Sequence, residues 1–377
     1  MASIPFNADK LTSLLQAAGL DAVVATSRHN VRYLAGYVDH FHERAPRGGT
    51  GQYIPAVGIA RGRYDAAFYV GGVSEKRQLT ELPIWIPEIN VSGGPSTKTA
   101  EVAAGLLKGL VGESATIGVE LPFLPADAYL TLQSALPHAR LVDATNVLHE
   151  LRAIKTPAEL ARIEKVANLD AGAINAAFRA GTPGITTREM SDLVRRDMEN
   201  AGMDFLWSFT CAGPSYLRAP SEMAWWSGQI LHLDCGGEID DYLADICRVG
   251  SLGEPSSLAR DLHRECLALQ DEVRQYVKPG TPYRDLLLEG ERALKRMSHG
   301  EIGRFVAHGI GMVSHEQPMI SATSTRPLEA GMVLSIETEF HHPEVGHMKI
   351  EDVVAVTPDG YVGYGDLGRE ITVVAVG

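Results

Sequence analysis

The chain has 377 residues, enough for two domains, and its 45% hydrophobic and 21% charged content is that of a folded globular protein. Lys and Arg number 34 against 47 Asp and Glu, a net charge of -13, which speaks against non-specific nucleic-acid binding because that needs a basic surface. No apolar run approaches the roughly 20 residues of a membrane span, so no membrane role is expected. The N-terminus lacks the basic start and long apolar stretch of a signal peptide, and Cys211, Cys235, Cys247 and Cys266 form no CxxC pair. A cytoplasmic location is the simplest expectation.

In chain order, residues 8–18 read as a helix and Asp21–Thr26 as a short buried strand. Strand-like runs follow at Tyr53–Ala60, Asp65–Val70 and Ala115–Glu120, with helices at Thr97–Leu110 and Pro125–Ala135. This alternation predicts an α/β N-terminal domain over 1–150. The polar, glycine-rich segment Asp39–Gln52 reads as an exposed loop of the kind that often reaches a site. A second domain over 151–377 opens at Thr156-Pro157-Ala158-Glu159, where Thr156 suits an N-cap, Pro157 the first helical position and Glu159 a capping box.

That second domain carries a weak repeat. Gly181-Thr182-Pro183 and Gly280-Thr281-Pro282 each sit between two amphipathic helices, about 99 residues apart, and each pair runs into strand-rich sequence. A duplicated α/β unit with approximate two-fold symmetry is the expectation, and a cleft between its halves could hold a site.

The stretch ILHLDCGGEIDDYLADICRV (230–249) reads as a hairpin. A turn centred between Ile239 and Asp240 places Asp234 opposite Asp245. A second hairpin, GMVLSIETEF (331–340) and KIEDVVA (349–355), turns at Glu344 and places Glu337 opposite Glu351. Opposed carboxylates inside apolar strands repel, so a cation between them or a shared proton is required. His308, in FVAHGIGMV, is flanked by small residues that allow close approach of backbone to a ligand. Four carboxylates and one imidazole without thiolate suit two divalent ions of the Mn, Co, Fe or Zn type. The alternative for each residue alone is a turn acid or a buried histidine; the five together argue against it.

The strings LHLDCGGEIDDYLADICR, HGIGMVSHEQP, GMVLSIE and KIEDVVAV resemble the motifs of the pita-bread metallopeptidase family, which includes methionine aminopeptidase, prolidase, aminopeptidase P and the non-peptidase creatinase. LRAIKTPAELARIEKVA resembles the helix that opens its catalytic domain, and RHNVRYLAGY the N-terminal domain of the prolidase and creatinase branch. The resemblance implies a creatinase-like N-terminal domain and a pseudo-two-fold pita-bread catalytic domain. It implies Asp234, Asp245, His308, Glu337 and Glu351 as ligands of two ions, with Asp245 and Glu351 bridging. It implies His315 as the residue that bonds the substrate carbonyl, Glu337 as proton shuttle and a homodimer as the assembly.

The departures are equally specific. Peptidase members carry a histidine in the stretch before the first aspartate, but AGPSYLRAPSEMAWW has none; its place falls at Pro220 or Ser221. Lys349 stands where an arginine is usual, keeping charge without the bidentate fork. Thr338 replaces the proline that usually follows the first glutamate. Candidate substrate contacts are Arg218 for a carboxylate, Trp225 for an aromatic wall, Lys349 and, on the adjacent hairpin, His342, with His341 as an equal candidate to replace the missing histidine. Core packing is the simpler reading of Trp207, Trp225 and Trp226. The expected activity is metal-dependent hydrolysis of a C–N bond in a small molecule or short peptide, Xaa-Pro peptidase-like with an atypical site. A creatinase-like or ectoine-hydrolase-like enzyme, or a lyase, acting on a small non-peptide substrate is one alternative; a catalytically silent binding domain is another.

Overall fold

The computed structural model describes residues 3–39, 42 and 52–376. Two compact units divide the chain, Met1–Arg152 and Ala153–Gly377.

The first unit is a mixed seven-stranded sheet. Its strand order is Tyr53–Ile54, Glu88–Pro95, Arg63–Gly72, Ala56–Ala60, Ala22–Ala25, Thr116–Val119 and Arg140–Asp143. The helices Ser96–Val111 and Ala126–Ala135 bury Ala103, Leu107, Ala128 and Leu132 in a core with Val24, Phe68, Val70 and Ile117. The sequence pattern misses the helices Arg28–Ala35 and Glu75–Glu81, which are short. Of the polar segment 39–52, residues 40–41 and 43–51 lie outside the described residues. Asp39 and His42 are buried, not exposed, and the His42 ring sits at hydrogen-bond distance from Thr26 O.

The second unit is a strongly antiparallel sheet with helices on one face. The Thr156 N-cap and Glu159 form the expected capping box, and the helix runs Pro157–Ala180; Thr186 and Glu189 repeat the device for Thr187–Asn200. The main strands lie in the order Asp204–Ala212, Ile230–Ile239, Ile246–Leu252, Gly346–Val356, Val333–His342 and Gly303–Gly309. That order is palindromic about the central pair: each half contributes three antiparallel strands preceded by two helices, as the repeat predicts. The equivalence extends to single hydrogen bonds. Thr187 N and Arg188 N donate to Met223 O and Ser221 O, and Tyr283 N and Arg284 N donate to Arg326 O and Ser324 O.

Strand parity fixes the two faces. Thr338 Oγ1 meets Cys266 on the helix Ser257–Arg274, a Cβ on Gly250 would strike Phe178, and one on Gly237 would strike Met198 and Met203. These positions face the helices. Residues one step along each strand, including Asp234, Cys247, Glu337 and Glu351, therefore project from the other face. Among the described residues no helix is long and apolar enough to cross a membrane.

Candidate active site

The second hairpin has the register expected from its turn: Glu337 pairs with Glu351, Glu339 with Lys349 and His341 with His347. The first does not. Tyr242 pairs with Ile239 and Cys247 with Asp234, so the turn centres one residue later than expected, between Asp240 and Asp241. Both aspartates have positive φ, 55° and 65°, as a two-residue type I′ turn demands. Cys247, not Asp245, therefore stands opposite Asp234. The strand is broken at Ala244 and Asp245, and a slip of two residues leaves Asp245 on the same face.

Four carboxylates consequently converge, with His308 from Gly303–Gly309 beside them. His308 Nε2 is 3.4 Å from Glu337 Oε1 and 3.8 Å from Glu351 Oε1. Ser335 Oγ donates to Glu351 Oε1 at 2.6 Å. Asp245 Oδ1 and His308 Nε2 are buried without a hydrogen bond. Burial, then Glu351 and Asp234, raise the Asp245 pKa well above the ordinary carboxyl value. Burial would lower the His308 pKa, but Glu337 and Glu351 outweigh it and push it up to about 10. The arrangement draws positive charge to this spot. Ligand atoms of Asp245, His308 and Glu351 all lie within 4.8 Å of one another, so this donor set suits one divalent ion.

The place beside Asp234 and Glu337 is different, because Lys349 reaches into it. Its Nζ lies 2.6 Å from Asp234 Oδ2, 2.7 Å from Glu337 Oε2 and 2.8 Å from Glu351 Oε2. Burial disfavours the ammonium, but Glu351, Asp234 and Glu337 outweigh it and raise the pKa. Burial likewise pushes Glu337 up, while His308 and Lys349 together hold it below its ordinary value. Lys349 is thus engaged by three carboxylates and does not face outward to a substrate, which corrects its placement among the substrate contacts. A second ion does not fit while this ammonium is in place.

Arg218 closes the same end. Its Nη2 donates to Asp234 Oδ2 at 2.7 Å, its guanidinium lies over the Phe209 ring at 4.8 Å, and its side chain is 38% exposed. His315 is exposed and stacks on His308 with ring centroids 3.9 Å apart; burial of its inner part and the neighbouring His308 lower its pKa. Two further corrections follow from parity and packing. Trp225 is fully buried against Phe178 on the helix face, with its indole donating to Gln229 O, so it forms no substrate wall. His342 points to the opposite face from Glu337 and accepts from Glu344 N in the turn. At the position of the missing histidine, Ser221 Oγ is engaged with Thr187 and Met223 N.

Sequence reasoning overlooks one group on the acid-bearing face. His232, two residues before Asp234, is wholly buried; its Nδ1 is 3.1 Å from Cys211 Sγ, and its ring lies 4.5 Å from that of His347. His347 Nε2 is 2.9 Å from Glu339 Oε2, and His341 stacks on Tyr216. The spacing HLD already places His232 on the face of Asp234; what it lacks is any sign that Cys211 and His347 come to the same row.

Comparison with known proteins agrees with this architecture. A model of metallopeptidase family M24 matches residues 161–358, and one of the creatinase/prolidase N-terminal domain matches residues 8–154. The chain is 26% identical over 362 residues to the uncharacterized peptidase YqhT of Bacillus subtilis (strain 168), covering 93% of this chain and 95% of that protein. Among solved structures it is similar to the Xaa-Pro dipeptidase from Bacillus anthracis, with a TM-score of 0.83 and 23% identity over 97% of this chain and 99% of that one. It is also similar to the dipeptidase PepE from Mycobacterium ulcerans, with a TM-score of 0.80 and 26% identity over 98% and 97% of the two chains.

Proposed function

The chain belongs to metallopeptidase family M24, and we propose that it hydrolyses the C–N bond of a dipeptide-sized or smaller amide bearing a carboxylate, through a site altered from that of ordinary Xaa-Pro peptidases. The observation that carries this reading is the buried Asp245–His308–Glu351 set with an exposed His315 stacked at its edge. The solved neighbours named as dipeptidases support a small peptide-like substrate.

Asp245, His308 and Glu351 would hold the ion. When bound there, a divalent ion would polarise the scissile carbonyl and make water easier to deprotonate. Glu337, at the boundary of the set, is the group placed to take a proton from the attacking water and pass it on. His315 has its pKa below the ordinary 6.5, so it is neutral at pH 7 and can hydrogen-bond the substrate carbonyl. Arg218, half-exposed over Phe209, is the group placed to hold a substrate carboxylate. The leaving nitrogen lacks the usual histidine. His341, on the face of Glu337, is a candidate to serve it in place of His342.

A creatinase-like activity on a non-peptide amide is the second reading, favoured by the inward ammonium of Lys349 where arginine is usual. Four buried, unpaired cysteines support a reducing compartment such as the cytoplasm. The homodimer implied by the resemblance belongs to the same proposal.

The test is turnover of Xaa-Pro dipeptides, other dipeptides, their C-terminal amides and small guanidino or cyclic amides by metal-reconstituted enzyme. Cleavage of a carboxylate-bearing substrate is expected, and Arg218→Ala should raise its KM by about ten- to hundredfold, the worth of a charged hydrogen bond. The amidated substrate should be insensitive to that substitution. Efficient cleavage of long Xaa-Pro peptides, or equal loss on amidated and free-acid substrates, would refute the reading.

A further inference from the structure

We propose that the ammonium of Lys349 stands in for one of the two ions expected in this site, so that the protein holds a single divalent ion between Asp245, His308 and Glu351. This deepens the hydrolase reading and rests on it.

Lys349 Nζ lies within 2.6–2.8 Å of oxygens from three carboxylates on three strands: Asp234 from Ile230–Ile239 in the first half of the sheet, and Glu337 and Glu351 from Val333–His342 and Gly346–Val356 of the second hairpin. An ion coordinated by those oxygens would sit about 2.0–2.2 Å from each, in the volume the nitrogen fills. Lysine and ion are therefore mutually exclusive there. The lysine is also 3% exposed and anchored in the central strand Gly346–Val356, so its ammonium is buried among these acids. The other half of the cluster has the opposite character. Asp245 Oδ1 and His308 Nε2, both buried, have no hydrogen bond, and neither residue is paired with Lys349.

Charge gives the same answer. Asp234, Asp245, Glu337 and Glu351 carry four negative charges when ionised. Arg218 and Lys349, both on Asp234 Oδ2, return two. One divalent ion then neutralises the cluster, whereas two would leave it with two excess positive charges in a site whose acids are largely buried. Asp234 thereby changes role. It holds two side-chain cations and positions Lys349 and Arg218. Glu337 is likewise fixed by Lys349, which leaves its other oxygen toward His308.

The experiment is metal stoichiometry on the full chain. Protein stripped with chelator, loaded with excess Mn²⁺ and desalted is read by elemental analysis, by titration calorimetry and by electron paramagnetic resonance. The wild type is expected to take one equivalent and to give the resolved six-line signal of an isolated Mn²⁺. Lys349→Met, which keeps the stem and removes the charge, is expected to take two and to give the broadened signal of an exchange-coupled pair. Asp245→Asn should lose the single ion of the wild type. Two equivalents with a coupled signal in the wild type would overturn the inference and leave the hydrolase reading standing. No bound metal in the wild type would overturn both. One equivalent in a folded Lys349→Met would show that the ammonium does not exclude the second ion. Should Lys349→Met fail to fold, the wild-type count and signal decide the matter alone.

Discussion

His308 and His315 lie on one segment with rings stacked 3.9 Å apart, yet their surroundings assign them different work. His308 is buried among Glu337 and Glu351, with its Nε2 free of hydrogen bonds. His315 is exposed, with its Nδ1 at hydrogen-bond distance from the neighbouring Ser314 Oγ, and faces whatever enters. His308→Ala is therefore expected to lower both bound metal and turnover. His315→Ala should lower kcat by about a hundredfold or more, the usual worth of a positioned proton-handling or hydrogen-bonding group, and leave metal content unchanged. Elemental analysis beside steady-state kinetics separates the two, and equal metal loss in both variants would contradict the assignment. The identity of these residues could be read from HGIGMV and the HE seven residues on. The inward turn of Lys349 could not, because it depends on Asp234 from the other half of the sheet.

Elements show where sequence reasoning succeeds and where it stops. The hairpin at Pro343 to Gly346 reads in its true register, since Gly346 takes the positive φ that closes a short loop, 95°. The hairpin at Asp240-Asp241 slipped by two because aspartate is a less common occupant of that conformation than Asn-Gly, and Gly236-Gly237 offered competing turn chemistry. Face, which decides the site, survived the slip. The helix Pro157–Ala180 holds a cost that no pattern announces. Asp170 is fully buried beneath the acid-bearing sheet, and neither of its carboxylate oxygens has a partner. Burial raises its pKa well above the ordinary value; Arg248 opposes this, and Asp234 and Glu351 add to it. The folded state keeps the proton while the unfolded chain loses it above about pH 3.9. The stabilising contribution is thus complete below that pH and is lost as pH rises toward the folded-state pKa, by about 1.4 kcal/mol per unit. Asp170→Asn cannot ionise. Relative to wild type its stability should improve as pH rises above about 3.9 toward the folded-state pKa, read from urea midpoints at several pH values. A difference independent of pH would show that Asp170 is ionised in the fold.

The whole catalytic unit depends on the seam where its two halves meet. The repeat was visible in the sequence as two Gly-Thr-Pro junctions, but the seam was not, since it joins Ile246–Leu252 to Gly346–Val356 across about 100 residues. The ladder there registers one pair, Cys247 with Glu351, so backbone pairing alone ties the halves weakly. A buried ionic knot takes over on the helix side. Arg248 donates to Asp352 Oδ1 at 2.5 Å and to Glu351 O at 2.8 Å, while Arg274 and Arg369 reach Asp352 Oδ2 at 2.6 and 3.0 Å. Asp352 and Arg248 are fully buried, and Arg274 nearly so. Glu351, one residue along the strand, faces the acid cluster, so the knot fixes the strand that carries both Glu351 and Lys349. Removing the carboxylate shared by the three arginines takes its ion-pair partner from the fully buried Arg248, while Arg274 keeps Asp366 and Arg369 keeps Asp271. Asp352→Ala is expected to destabilise the protein by about 3–5 kcal/mol, the range for breaking a buried ion pair by deleting one partner. Asp352→Asn, which keeps a hydrogen-bond acceptor and the shape, should lose less. Urea unfolding of all three proteins at pH 7 gives the comparison. A loss near zero for Asp352→Ala would mean that the seam is held by the packing of the helices Pro157–Ala180 and Ser257–Arg274, and that the arginines find water or backbone carbonyls instead.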